Sequence, residues 1–161
     1  MKQTKRFACL ILLVAVVMTA LVFPAAASNY KDADITDFYM PFHGYSGFIT
    51  PRHKTDKTPL YLYIENVGYA SVGVYVQAWG GGSAYMALGD RENLTYANGA
   101  LVQAVVGVEG KKYSIKSLIY ERGYDYATLC FHTGNPSGDY ITGKWSPDSL
   151  STYTSPDPVS Y

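Results

Sequence analysis

Tyrosine is the residue type whose abundance points most directly to chemistry in this chain. The 161 residues include 16 tyrosines and two tryptophans. Such rings stack on sugars and on partner side chains, and they lose little rotamer entropy in doing so. Two stretches place aromatic residues at alternate positions, and we expect them to form neighbouring strands whose shared face carries the candidate binding residues Tyr61, Tyr63, Tyr75 and Trp79. The alternative is that these rings only cover the outside of a β-sandwich, with each tyrosine hydroxyl in water.

Candidates for catalysis lack the spacing that catalysis requires. Ser46 lies in a Gly-Tyr-Ser-Gly sequence, which differs from the Gly-x-Ser-x-Gly pattern of a nucleophile elbow. Glu65 could pair with Glu121 or Asp125 as in a glycosidase, but any β domain offers such carboxylates by chance. We therefore predict no catalytic residues and a protein that is not an enzyme.

Cys130 is the one cysteine that remains once the first 27 residues are set aside. His132 would share its strand face, and a basic neighbour favours the reactive thiolate. The flanking residues alternate as in a strand, however, and cysteine is among the residues most often buried. We expect Cys130 to be a buried structural residue.

Metal ligands do not occur at the spacings of known sites. The histidines at 43, 53 and 132 are isolated, and neither His-Glu-x-x-His nor paired Cys-x-x-Cys occurs. Calcium is the better alternative, because loop carboxylates and carbonyls suit it. Its candidate ligands are Asp90, Glu92 and Asn93, or Asp125 and Asp139. Neither group matches an EF-hand loop, and we predict no metal and no cofactor.

The chain begins with a segment that has the pattern of a secretory signal peptide. A basic head precedes an uncharged, mostly apolar run over residues 7–23, and Pro24 and three alanines follow. Small residues at the end of this segment indicate cleavage after Ala27 and release of a secreted, extracellular protein. The alternative is an uncleaved anchor, since the 17-residue run is just long enough to span a bilayer.

The chain after residue 27 is mildly acidic. Without the basic head it keeps ten basic and 13 acidic residues among 134, a net charge of about −3. This charge, together with the lack of Lys/Arg clusters, argues against nucleic acids and anionic lipids as partners. A membrane is then involved only through the signal peptide before cleavage.

Alternation of side chains predicts an all-β fold. Leu60, Leu62 and Ile64 share one face of a strand, and the valines after residue 71 repeat the pattern. About eight such strands lie between residues 60 and 145, and no segment shows sustained helical periodicity. This spacing is typical of an antiparallel β-sandwich or a small barrel, and the sandwich is favoured.

Asn98-Gly99 is the sharpest local signal, because this dipeptide readily adopts the two positive φ angles of a type I′ turn. A two-residue loop at this point pairs Ala97 with Ala100. The next pair along the predicted hairpin is then Tyr96 with Leu101.

The sequence divides into four segments. The signal peptide covers residues 1–27, a flexible lead-in covers 28–37, and the β-sandwich domain covers 38–145. A Pro/Ser-rich C-terminal tail covers 146–161, and its three prolines predict that little of it joins a ladder.

Two stretches resemble a C-terminal pattern of small exported proteins of Gram-positive bacteria. They are Tyr-Glu-Arg-Gly-Tyr-Asp-Tyr-Ala-Thr-Leu at 120–129 and Gly-Lys-Trp-Ser-Pro-Asp-Ser at 143–149. The resemblance implies a bacterial source and a β-rich fold. The family has no established activity, so the resemblance implies no site residues.

Two classes of function fit these observations. The first is a secreted, non-catalytic β-sandwich that acts by recognition or assembly at the bacterial cell envelope or outside the cell, with cell-wall glycan or another secreted protein as its partner. The alternative is a released effector such as a bacteriocin or toxin. The acidic charge favours the first, because anionic membranes attract cationic effectors.

We predict that the protein recovered from culture medium begins at Ser28. The motive is the small-residue exit after Pro24. N-terminal sequencing measures this directly, and membrane-associated protein that begins at Met1 would contradict it.

Overall fold

The computed structural model describes residues 29–42, 45, 47–69, 73–87 and 89–159. The signal peptide and its cleavage site lie outside these residues. The described part is built of β-strands without helices, which confirms the predicted all-β fold, and it offers no helix able to span a membrane. The strands are β1 Ala33–Met40, β2 Gly47–Phe48, β3 Arg52–His53, β4 Leu60–Val67, β5 Val74–Gly81, β6 Arg91–Asn93, β7 Tyr96–Ala97, β8 Ala100–Leu101, β9 Ala104–Gly107, β10 Lys112–Ile115, β11 Tyr126–Thr133, β12 Asp139–Ser146 and β13 Asp157–Val159.

Two antiparallel sheets pack together around one core. The first sheet has four strands in the order β1-β12-β4-β10. The second has the order β13-β9-β5-β11-β2, with β3 also paired to β11 and β6 to β5. The predicted antiparallel sandwich is therefore confirmed.

The core lies between the two sheets and is filled by alternate residues of their central strands. Leu60, Leu62 and Ile64 on β4 are fully buried, and Val74 and Val76 on β5 are nearly so. Full burial of one such side chain contributes about 1.5–3 kcal/mol. The central strand β11 adds Leu129 and Phe131 to this core. Cys130 lies between them on the other face of β11, and it is completely buried as expected.

The predicted hairpin forms at Asn98-Gly99. The two residues have φ angles of 51° and 84°, so both adopt the positive values of a type I′ turn. Ala97 pairs with Ala100, which is the predicted register.

The flexible lead-in predicted over 28–37 is wrong for its second half. Residues from Ala33 onward form β1, which pairs with β12 along the edge of the four-stranded sheet. Ile35 and Met40 point into the core, whereas most of the residues between them are exposed. The strand therefore appears polar in sequence, and an irregularity in register between Ile35 and Phe38 breaks its alternation.

The C-terminal tail predicted over 146–161 is also more ordered than expected. Tyr113 on β10 forms a bridge to Thr154, and β13 then pairs with β9. The tail thus connects an edge of the first sheet to an edge of the second. Pro158 is tolerated because β13 is itself an edge strand, where a missing N–H need not break a ladder.

A buried ion pair fixes the start of this tail. Lys54 Nζ lies 2.8 Å from Asp148 Oδ1, and the two side chains are 1% and 0% exposed. The ammonium also donates to the carbonyl oxygens of Thr58 and Pro147, at 2.7 and 2.8 Å. All three of its protons therefore have acceptors.

The other carboxylate oxygen of Asp148 is equally well paired. Oδ2 accepts hydrogen bonds from the Asn29 amide at 3.0 Å and from the amide and hydroxyl of Thr55 at 3.2 and 2.6 Å. The N-terminal segment, the loop before β4 and the tail after β12 meet at this carboxylate. Burial of two ions costs several kcal/mol each, and only such complete pairing offsets that cost.

Lys54→Met is expected to lower the free energy of unfolding by about 3–5 kcal/mol, because it leaves the Asp148 carboxylate buried without its cation. Lys144→Met is the control, since Lys144 pairs with Asp34 at 3.5 Å on the exposed surface, and it should cost less than about 1 kcal/mol. Urea unfolding of both variants measures the difference. Equal costs would contradict a structural role for the buried pair.

Candidate binding surface

The four aromatic residues singled out from the sequence do not form one surface. Tyr61 and Tyr63 lie on β4 of the four-stranded sheet, whereas Tyr75 and Trp79 lie on β5 of the seven-stranded sheet. Their strand neighbours in sequence face the core between the sheets. The two pairs therefore point outward on opposite sides of the sandwich, and the expectation that β4 and β5 are neighbouring strands is wrong.

Tyr61 is covered by the C-terminal tail. Its ring centroid lies 5.1 Å from that of Tyr153, and only 6% of Tyr61 is exposed. Burial, together with the negative charge of Asp32, raises the pKa of Tyr61 to about 12. Tyr63 is partly buried, and the ammonium of Lys112 lies 5.6 Å from its ring centre. Because the tail covers its ring, Tyr61 is unavailable to a ligand.

Trp79 belongs to a half-buried cluster on the outside of the seven-stranded sheet. Its ring meets Phe48 edge to face at 5.4 Å, and its indole N–H donates to Gln77 at 2.9 Å. The guanidinium of Arg91 lies 3.6 Å from the centre of the Phe48 ring. At this distance the guanidinium makes a cation–π contact, and it covers much of the Phe48 ring. Farther along the same face, Tyr75 stacks on the buried His132 at 5.3 Å.

Five exposed aromatic residues lie together at one end of the sandwich. This end is defined by the close of β1 and β4 and the start of β12, which antiparallel pairing brings side by side. Two ring pairs occur there, one with centroids 5.4 Å apart and one 5.1 Å apart. We call this surface the aromatic end, and its members are Tyr39 (48% exposed), Phe42 (42%), Tyr45 (63%), Tyr69 (63%) and Tyr140 (56%).

A glycine admits the first of these ring pairs. Tyr39 and Tyr140 are cross-strand partners on β1 and β12, and the Tyr39 hydroxyl donates to the carbonyl of Ser137 at 3.1 Å. The Tyr39 ring thereby lies against Gly138, where any Cβ would overlap it. Gly138 also has a φ of +75°, which disfavours other residues.

Asp139 holds the neighbouring loop. Its buried carboxylate accepts hydrogen bonds from the Tyr69 amide at 2.9 Å and the Tyr140 amide at 2.7 Å. Gly68 leaves the space that this carboxylate occupies. The backbones that carry two of the exposed tyrosines are therefore fixed by one acidic side chain.

A separate cleft of about 480 Å³ lies between the open edges of the two sheets, beside β1, β2 and β3. Ile35, Ile49 and Trp145 contribute its apolar lining. Arg52 lines it too, but its guanidinium already donates to the Trp145 carbonyl and to Asn29. Burial lowers the pKa of Arg52. Because its main polar group is engaged, this cleft is a weaker candidate than the aromatic end.

The residues considered for catalysis are not brought together. Glu65 lies near the end of β4, while Glu121 and Asp125 precede β11 at the opposite end of the sandwich. Ser46 lies outside the described residues.

The residues considered for calcium are likewise dispersed or engaged. Asp125 and Asp139 lie at opposite ends of the sandwich. Glu92 accepts from Tyr124, and the Asn93 side-chain oxygen accepts from the amide and hydroxyl of Thr95. Within the described part of the chain, no three His, Cys, Asp or Glu side chains are grouped as metal ligands would be.

A family model described as "Protein of unknown function (DUF2712)" matches residues 23–149. The chain belongs to the DUF2712 family. The match spans β1 to β12, the Tyr39–Tyr140 pair and both members of the buried ion pair, and it contains both stretches that carried the resemblance. No curated protein and no solved structure matches the chain.

Sequence reasoning missed the aromatic end of this DUF2712 protein for a simple reason. Tyr39, Tyr69 and Tyr140 lie at or beyond the ends of strands, where the alternation of side chains gives no signal. The pair Gly138-Asp139 was a usable clue, because a glycine in a turn beside an acidic residue often fixes local backbone.

Gly138→Ala is expected to destabilise the protein more than Gly110→Ala. Both glycines have a φ of +75°, but a Cβ at Gly110 meets nothing whereas one at Gly138 overlaps Tyr39. The shared backbone cost is about 1 kcal/mol, and the excess at Gly138 reports the ring contact. Urea unfolding measures both. In a Tyr39→Ala background the excess should vanish, and an excess that persists there would contradict the assignment.

Proposed function

We propose that this protein is a secreted, non-catalytic module that binds a polysaccharide of the bacterial cell envelope through its aromatic end. The observation that carries the proposal is the grouping of five exposed aromatic side chains at one end of the sandwich. Isolated exposed apolar residues are ordinary, but a cluster of large ones marks an interaction surface.

The rigidity of this surface supports binding. Tyr39 is held by a hydrogen bond and an edge-to-face contact, and the backbones of Tyr69 and Tyr140 are fixed by Asp139. Little side-chain entropy remains to be lost when a ligand orders such rings. Preorganised tyrosines therefore suit repeated, weak stacking contacts.

A glycan is favoured over a protein partner by the chemistry of the surface. The exposed rings offer flat apolar faces for sugar C–H groups, and tyrosine hydroxyls add hydrogen bonds at the edges. A stable protein interface would instead centre on a fully desolvated anchor in a pocket, whereas these rings lie on an open surface.

Retention on insoluble cell-wall glycan is the direct test, with the full mature protein applied at fixed concentration. Tyr140→Ala should weaken binding about fivefold, because a stacked aromatic contributes about 1 kcal/mol. Tyr69→Ala should do the same. Tyr85→Ala is the matched control, since Tyr85 is 95% exposed beyond the opposite end of β5 and should bind like the wild type.

Other outcomes separate the remaining ideas. Loss of binding in Trp79→Ala but not in Tyr140→Ala, with both variants folded, would move the site to the Trp79 cluster. Retention on a secreted partner protein and not on glycan would overturn the ligand class. Growth inhibition of neighbouring strains without glycan retention would favour the released effector instead.

A further inference from the structure

We propose that Lys54 and Asp148 condense into an intramolecular amide bond after the protein has folded. The bond joins Nζ of Lys54 to Cγ of Asp148. In the structure Nζ lies 2.8 Å from Oδ1, and the two side chains are 1% and 0% exposed. The Cγ carbon, one bond beyond Oδ1, therefore lies within about 4 Å of Nζ, and a small approach brings it to the near-attack separation of about 3–3.5 Å.

The carboxyl group of Asp148 is positioned to react as an electrophile. Three donors converge on Oδ2, namely the Asn29 amide, the Thr55 amide and the Thr55 hydroxyl, at 3.0, 3.2 and 2.6 Å. Preorganised donors of this kind form an oxyanion hole, which stabilises the negative charge of a tetrahedral intermediate. Nζ approaches from the Oδ1 side, so the attacking atom and the stabilised oxygen are distinct.

The carboxylate of Asp56 is close enough to transfer protons between Lys54 and Asp148. Asp56 Oδ1 lies 4.0 Å from Lys54 Nζ, which one small movement or one water molecule bridges. Asp56 is positioned by the Thr58 amide at 2.8 Å and by the Tyr30 hydroxyl at 3.0 Å. It can accept a proton from the amine and return it to the departing oxygen.

The condensation balances without any further reactant. One proton first passes from the Lys54 ammonium to Asp148 Oδ1, which gives a neutral amine and a carboxylic acid. The nitrogen lone pair attacks Cγ, and the negative charge passes to Oδ2. A second nitrogen proton then reaches Oδ1 through Asp56, the Cγ–Oδ1 bond breaks, and water leaves. One C–N bond replaces one C–O bond, and nothing is oxidised or reduced.

Burial makes this condensation favourable where exposed pairs do not react. In water an ammonium and a carboxylate are favoured over their amide because both ions are strongly solvated and water is in large excess. Here both groups are withdrawn from solvent, and well-oriented intramolecular pairs reach effective molarities of about 10⁵–10⁸ M. Charge separation is also costly in the interior, so loss of both charges removes a penalty.

The cross-link would perform the task of a disulfide, which the described residues cannot form among themselves because Cys130 is their one cysteine. It would join the loop before β4 to the segment after β12 and enclose most of the strands of both sheets. A closed loop of this length strongly restricts the unfolded chain.

Intact-mass spectrometry of the purified, folded mature protein tests the proposal. The expected mass is that of the sequence from its observed N-terminus less one water. Peptide mapping should recover a branched peptide that joins the segment of Lys54 to that of Asp148. A full sequence mass in folded protein kept for days would overturn the proposal.

Variants separate this bond from other losses of water. Asp148→Ala should show its full mass, and Asp148→Asn should lose ammonia to form the same bond. Asp56→Asn should slow formation about 100-fold or more, as loss of a general acid–base does. A water loss that persists in Asp148→Ala, such as succinimide formation elsewhere, would overturn the proposal. An unchanged rate in Asp56→Asn would overturn the role of Asp56.

Discussion

The sandwich depends on one buried pair of charges. Lys54 and Asp148 come from loops outside the strands, yet their hydrogen bonds join the segment before β1, the loop before β4 and the turn after β12. Neither charge could remain buried alone, because the free-energy cost of its desolvation exceeds the stabilisation that any single contact provides. The three segments must therefore be in place together, and this requirement fixes the positions of the edge strands next to them.

Aromatic residues on the outer faces and ends of the sandwich differ in how far they are buried. Tyr61 is enclosed by the tail, Trp79 is half covered by its neighbours, and Tyr140 faces solvent. Composition alone predicts none of these differences, since each ring begins as the same kind of side chain. The exposure of each ring depends on what packs over its strand. The returning tail covers Tyr61, an edge strand with an arginine partly covers Trp79, and Tyr140 is left exposed.

The sequence allowed prediction of the central strands because their local pattern and their burial coincide. The apolar residues at alternate positions of β4 and β5 are buried, and Asn98-Gly99 adopts the positive φ angles that its sequence favours. The edge strands β1 and β13 could not be predicted, because their side chains face water on most sides. The ion pair was missed for a related reason: Lys54 and Asp148 are charged, and a charged residue is expected outside unless its partner is known. That partner is 94 positions away.

The pairing of strands that are distant in the chain has a kinetic consequence. β1 pairs with β12, β2 with β11, and β9 with β13, so several ladders of both sheets require residues from the last third of the chain. Topologies of this kind fold slowly, on the scale of milliseconds to seconds, because long loops must close before their contacts form. A chain that has emerged only as far as β10 would lack the partners that close either sheet. Such a polypeptide could not complete either sheet during synthesis, and it would reach its final fold only after nearly all of its residues were available.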